Sequence, residues 1–316
     1  MTLIANSESR PVPASTPLAG WSSLPPEYAI PEIAPSIDDS RSYCKRLART
    51  HYENFSVATW FLPQRLRQHF YNVYAYCRIS DDLGDEVGDP GASLMLLDQW
   101  ESELEACYSG TPRHPVFVAL ADTVRTLDIP QLEFSDLLKA FRRDQTVTRF
   151  PTFEHLLGYC RYSANPVGHV VLYLCGYRDG ERQKLSDFTC TALQLANFWQ
   201  DVSVDFAKGR IYLPLEDLLR FGVTEEDIAR ERNTRAFCEM MKFEVQRARE
   251  WFEQGLPLVG KVDKVLAIDL ELFTRGGQEI LNAIEQQGFA VLGRRPSISK
   301  ARKLALVARA ALGKLL

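Results

Sequence analysis

The chain has 316 residues, a net charge of −4, 46% hydrophobic residues and seven cysteines. The mild acidity and the lack of any basic–aromatic cluster exclude a nucleic-acid binder. Cysteines at 44, 77, 107, 160, 175, 190 and 238 form no C-x-x-C and leave one unpaired, as expected of reduced thiols in a cytoplasmic protein. No G-x-G-x-x-G or P-loop occurs, so neither a nicotinamide nor an NTPase site is encoded in recognisable form, and no NADPH is expected.

Residues 1–37 hold seven of the 17 prolines and no helical period, and they read as a disordered leader without a signal-peptide apolar region. From residue 38 to 316, helical patterns follow one another with short breaks, which predicts one all-α domain. A first helix is expected over 40–52, running into H-Y-E-N-F-S-V-A-T-W-F-L-P. His51 lies at its end, where spacing leaves it between a helix cap and a phosphate contact.

The next stretch, Pro63 to Glu86, carries an apolar stripe of Leu66, Phe70, Val73, Tyr74 and Cys77. That stripe runs into Asp81 and Asp85 where core residues are due, with Arg78 beside them. Residues four apart lie one turn apart on the same helix face. Helices near 91–109, 115–128 and 130–146 are divided by Gly-Thr-Pro and Ile-Pro breaks. Thr152 is the expected N-cap of a helix through Tyr162. Asn165-Pro166 and Gly168 then interrupt the pattern, which fits a kink at a cavity wall or a plain helix–helix corner. Tyr159 and Tyr162 flank the interruption, either as core packing or as aromatic faces toward a cation.

Leu185 to Ala207 contains no Lys, Arg or Glu. Phe188, Ala192, Leu195, Trp199, Val202 and Phe206 form one stripe, and Gln194, Asn197, Asp201 and Asp205 form another opposite it. A helix buried nearly all round, carrying carboxylates, needs a basic partner or a metal. Two D-x-x-x-D pairs facing across a cavity suit Mg²⁺ held by a few side-chain oxygens and a substrate phosphate. Behind them, K-G-R-I-Y-L-P places positive charge where a diphosphate needs it. Helices near 215–220, 224–230, 234–254 and 258–287 complete the body. Residues 300–316 carry five basic residues and no acid, which fits either a peripheral contact with an anionic membrane or a packed final helix.

Together Y-C-R-I-S-D-D-L-G-D, Y-C-R-Y-S-A-N-P-V-G, Q-L-A-N-F-W-Q-D-V-S-V-D and R-I-Y-L-P resemble the squalene/phytoene synthase family over about residues 38–303. The resemblance implies an all-α isoprenoid-synthase bundle that acts on isoprenoid diphosphates with Mg²⁺. It puts the metal ligands on Asp81, Asp82, Asp85, Asp201 and Asp205. Substrate contacts fall on His51, Arg78, Gln194, Asn197, Arg210, Arg295 and Lys300, and the tyrosine beside the reacting carbons on Tyr159.

Three departures stand out. The usual S-x-S-F is replaced by Tyr52-Glu53-Asn54-Phe55, and A-G-x-V-G by Ala164-Asn165-Pro166-Val167-Gly168. The usual R-D-V-x-E-D becomes Gln200-Asp201-Val202-Ser203-Val204-Asp205. E-N-F-S-V-A-T-W-F-L-P and S-A-N-P-V-G resemble the bacterial hydroxysqualene branch. The implied activity is ionisation of presqualene diphosphate and capture of the cation by water. From its place in the interruption, Asn165 either positions that water or packs as a core side chain. A two-substrate head-to-head synthase is the alternative.

Overall fold

In the computed structural model, residues 24–50, 63–299, 301–302 and 305–306 are described. Thirteen α-helices can be numbered along them. The first seven are α1 (Ile37–Thr50), α2 (Gln64–Asp85), α3 (Pro90–Ser109), α4 (Pro115–Leu127), α5 (Gln131–Asp144), α6 (Phe153–Ser163) and α7 (Asn165–Leu174). Then come α8 (Gly180–Gln200), α9 (Val202–Ala207), α10 (Leu215–Phe221), α11 (Glu225–Ala229), α12 (Arg235–Gly255) and α13 (Lys264–Gln286). Among the described residues there is no strand, only an isolated bridge between Arg149 and Ile211. The all-α expectation holds.

Local chemistry sets the helix starts. Thr152 accepts a hydrogen bond from the His155 amide, and Asp89, Asp179, Thr234 and Asp263 cap α3, α8, α12 and α13 in the same way. Thr224 and Asp227 form a reciprocal capping box at α11. The expected helix over 258–287 divides into a 3-10 turn, Leu256–Lys261, and α13.

Two apolar clusters form the interior. One gathers α1 to α5 around Tyr76, Trp100, Phe117 and Phe134, whose rings meet edge to face. The other gathers α6, α8, α12 and α13 around Trp199, Phe237 and Phe252. The acidic end of α2 belongs to the first cluster, and α8 to the second, so their carboxylates meet at the seam.

Two expectations need correction, and one open alternative is decided. The leader is ordered over its described part: Pro26–Tyr28 forms a 3-10 turn, Leu24 and Tyr28 are buried, and Tyr28 Oη donates to Asp82 Oδ2 at 2.7 Å. A single aromatic anchor leaves no period in the sequence, which is why this contact was not foreseen. The long helix through Ala207 is broken at Asp201 (φ −107°, ψ 16°), although the Asp205 amide still bonds the Asp201 carbonyl at 2.8 Å. The Asn165-Pro166 interruption is a corner at Ala164, from which α7 starts with proline in its first turn. There α7 presses on α8 so closely that a Cβ on Gly168 would collide with Ser186 Oγ and Cys190 Sγ.

Candidate active site

The apolar stripe of α2 ends in Asp81 and Asp85, on one side of a cavity of about 310 Å³. Gln194 and Asn197 from α8, Asp201 at the break and Asp205 on α9 line the opposite side. Phe141 and Asp144 of α5, Tyr159 and Ser163 of α6, Phe198, Arg210 and Tyr212 complete the lining. Phe198 and Tyr212 stack at 3.9 Å between ring centroids, and Tyr159 lies tilted at 5.7 Å from Tyr212. These rings give the acidic cavity an aromatic wall.

One acid in each pair is matched by the chain's own cations. Asp85 accepts from Arg210 at 2.9 Å and Lys208 at 3.0 Å. Burial opposes its ionisation, but those two cations outweigh burial and hold the carboxyl below its ordinary range. Asp201 is paired by the Arg295 guanidinium, which also reaches Gln200 at 3.2 Å. The other acid in each pair lacks such close compensation. Burial, then the neighbouring Asp85, push Asp81 up to about 6. Burial, then Asp201, push Asp205 up to about 7.

Among the described residues no three His, Cys, Asp or Glu side chains converge on one point as a ready metal cage. Mg²⁺ is commonly held by one or two carboxylates and substrate phosphates, so two separated pairs with under-compensated charge fit that ion.

The sequence profile of the squalene/phytoene synthases matches residues 48–302. The chain belongs to that family. It is similar to the crystal structure of squalene synthase HpnC from Alicyclobacillus acidocaldarius, with 45% identity and a TM-score of 0.77, covering 85% of this chain and 98% of that one. A dehydrosqualene synthase solved with a ligand is similar at 26% identity and a TM-score of 0.79, covering 87% and 96%. The 15-cis-phytoene synthase of Synechocystis is 29% identical over 327 residues, covering 95% of this chain and 96% of that protein.

Within this family member, Asp81, Asp85, Asp201, Asp205, Gln194, Asn197, Arg210 and Tyr159 line one cavity, and Arg295 reaches it through Asp201. Asp82 and Arg78 do not line it. Asp82 is 5% exposed and is held by Arg78 and Tyr28. A residue next to Asp81 on a helix points about 100° away from it, which turns Asp82 out of the site. Arg78 approaches Asp81 only at 3.8 Å.

Asn165 is also elsewhere. It lines a separate cavity of about 630 Å³, and its Oδ1 accepts from Thr191 Oγ1 at 3.1 Å, which removes the geometric basis for its water-positioning role. In that second cavity His169 bridges Glu133 at 3.0 Å and Asp187 at 2.8 Å. His51 and Lys300 lie outside the described residues.

The sequence reading missed Asp144, Ser163 and Tyr212. Asp144 accepts from Tyr159 Oη at 2.7 Å, and burial, opposed by that bond and by Arg210, pushes it up to about 7. Its signal was present: Phe134, Leu137 and Phe141 form a stripe that continues into Asp144, the same pattern that revealed Asp81.

Proposed function

We propose that the chain ionises presqualene diphosphate and captures the resulting cation with water, giving hydroxysqualene and diphosphate. Mg²⁺ held by Asp81, Asp85, Asp201 and Asp205 would neutralise charge on the departing diphosphate. Arg210 and Lys208, already gathered at Asp85, are placed to transfer to phosphate oxygens, and Arg295 at Asp201 does the same from the opposite rim. Gln194 and Asn197 orient the leaving group. Tyr159, Phe198 and Tyr212 present ring faces that favour a cation in a water-poor space.

The observation that carries the one-diphosphate reading is Gln200. It stands where relatives that couple two diphosphates usually have arginine, and it is turned inward: Nε2 donates to the Pro296 carbonyl at 2.7 Å and Oε1 accepts from Arg295. Val204, at the position of a usual acid, is 45% exposed and offers no metal oxygen. Likeness to the squalene synthase HpnC supports a C30 product over phytoene.

Purified protein incubated with presqualene diphosphate and Mg²⁺ in heavy-oxygen water, without NADPH, is expected to give a labelled C30 alcohol. Efficient condensation of two farnesyl diphosphates instead would identify a two-substrate synthase. An unlabelled alcohol would overturn water capture. No described helix is long and apolar enough to cross a membrane. The basic segment 300–316 is proposed to touch an anionic membrane surface peripherally, where a long-chain C30 alcohol would partition.

A further inference from the structure

Capture by water requires a seat for that water and an acceptor for its proton. Among the described residues, the carboxylate cavity contains two buried polar atoms without a hydrogen-bond partner, Asp144 Oδ1 and Ser163 Oγ. They come from the ends of α5 and α6, beside the aromatic wall. Asp144 is 8% exposed, and its other oxygen is fixed by the Tyr159 hydroxyl at 2.7 Å. A buried carboxylate oxygen left unpaired is costly, and such atoms are normally satisfied by protein or ordered water. An ordered water needs two or more polar partners, and the pair supplies them: an acceptor on Asp144 and a hydroxyl on Ser163.

Resting on the water-capture reading above, we propose that Asp144 and Ser163 hold the attacking water, with Asp144 as its general base. The water oxygen forms the C–O bond to the cation with a lone pair. As it does so, one O–H bond breaks, its electrons stay on oxygen, and the proton passes to Asp144 Oδ1. Tyr159 remains the donor to Oδ2, which keeps Oδ1 turned toward the cavity. The proton returns to solvent before the next turnover, and no oxidant or reductant is involved. The acids that bind Arg210, Lys208 and Arg295 are poorer acceptors, because their oxygens already face cations.

The test measures C30 alcohol formed per diphosphate released, for wild type, Asp144→Asn and Ser163→Ala, with presqualene diphosphate and Mg²⁺. Asp144→Asn is expected to lower that ratio at least about tenfold, with alkenes or rearranged products making up the difference. Ser163→Ala is expected to lower it several-fold. A merely structural role slows both readouts together, so an unchanged ratio in the two variants overturns the proposal while leaving the overall reaction standing. Wild type that yields no alcohol overturns both. Ser163→Ala removes a single oxygen, so it decides the matter if Asp144→Asn does not fold.

Discussion

Tyr28 offers a direct measure of how far the proline-rich start of the chain belongs to the fold. Its ring is 1% exposed and its hydroxyl donates to Asp82, which Arg78 also holds. Replacing it with alanine removes a buried aromatic side chain, a loss of about 3–5 kcal/mol. Phenylalanine keeps the ring and removes one bond to a charged acceptor, at about 1.5 kcal/mol because Arg78 remains. At roughly 2–4 °C per kcal/mol for a domain of this size class, Tyr28→Phe should melt about 3–6 °C below wild type, and Tyr28→Ala about 10 °C below. Circular dichroism melts of the metal-free full-length protein read both values. If Tyr28→Ala melts like wild type, the segment does not pack as described and the ordered reading of residues 24–36 fails. If the two variants melt alike, the hydroxyl alone matters and the ring-burial estimate is wrong.

Asp81→Asn and Asp201→Asn should each reduce diphosphate release by about 10²–10³ without loss of helical circular dichroism, and wild-type rates at saturating Mg²⁺ would contradict the site. Chelation should abolish turnover and readdition of Mg²⁺ restore it; turnover that survives chelation refutes the metal assignment. At His169 burial opposes the charge, but Asp187 and Glu133 outweigh it and push the imidazole up to about 9. Because an unfolded histidine titrates near 6.5, the stabilisation is fully present below about pH 6.5 and is lost as pH rises through 9. His169→Gln should therefore melt well below wild type at pH 6 and converge with it near pH 10, and a deficit independent of pH would count against the ion triad. Gly168→Ala forces a methyl against Ser186 and Cys190 and should cost about 1–3 kcal/mol in urea unfolding, whereas a neutral result would place α7 further from α8 than described.

The acidic pairs were legible because a carboxylate on an apolar stripe contradicts its surroundings, and that contradiction is visible in sequence. Asp144 obeyed the same rule but stood alone at a helix end, where a single acid resembles an ordinary solvated terminus. The break at Asp201 left no mark, since neither glycine nor proline occupies it and both flanking segments keep helical composition. Tyr28 left none either, because its partner Asp82 lies 54 residues away and one contact sets no period. Resemblance brought Asp82 into the expected site, and its place in the helix interruption brought Asn165. Packing places Asp82 behind Asp81, against Arg78, and Asn165 at the start of α7, against Thr191 of α8. Motif membership does not say which way a side chain turns.

The charge balance of the cavity constrains what can enter it. Among the described residues five carboxylates line it, at Asp81, Asp85, Asp144, Asp201 and Asp205, and three cations pair closely with the two acidic pairs, at Lys208, Arg210 and Arg295, with Arg78 more distant from Asp81 at 3.8 Å. A bare diphosphate approaching uncompensated carboxylates at 4 Å meets about 4 kcal/mol of repulsion per unit charge pair at an effective dielectric near 20. Two such contacts would outweigh a typical charge-assisted hydrogen bond from arginine, worth about 1.5–3 kcal/mol. The chain's own cations are moreover occupied at Asp85 and Asp201 and cannot serve a phosphate without releasing those acids. Added cations resolve both difficulties, because they satisfy the released carboxylates and free Arg210, Lys208 and Arg295 to reach the leaving group. The proposed Mg²⁺ requirement thus follows from electrostatics within the cavity as well as from the type of ligand, and the same balance adds to burial in pushing Asp81 and Asp205 upward.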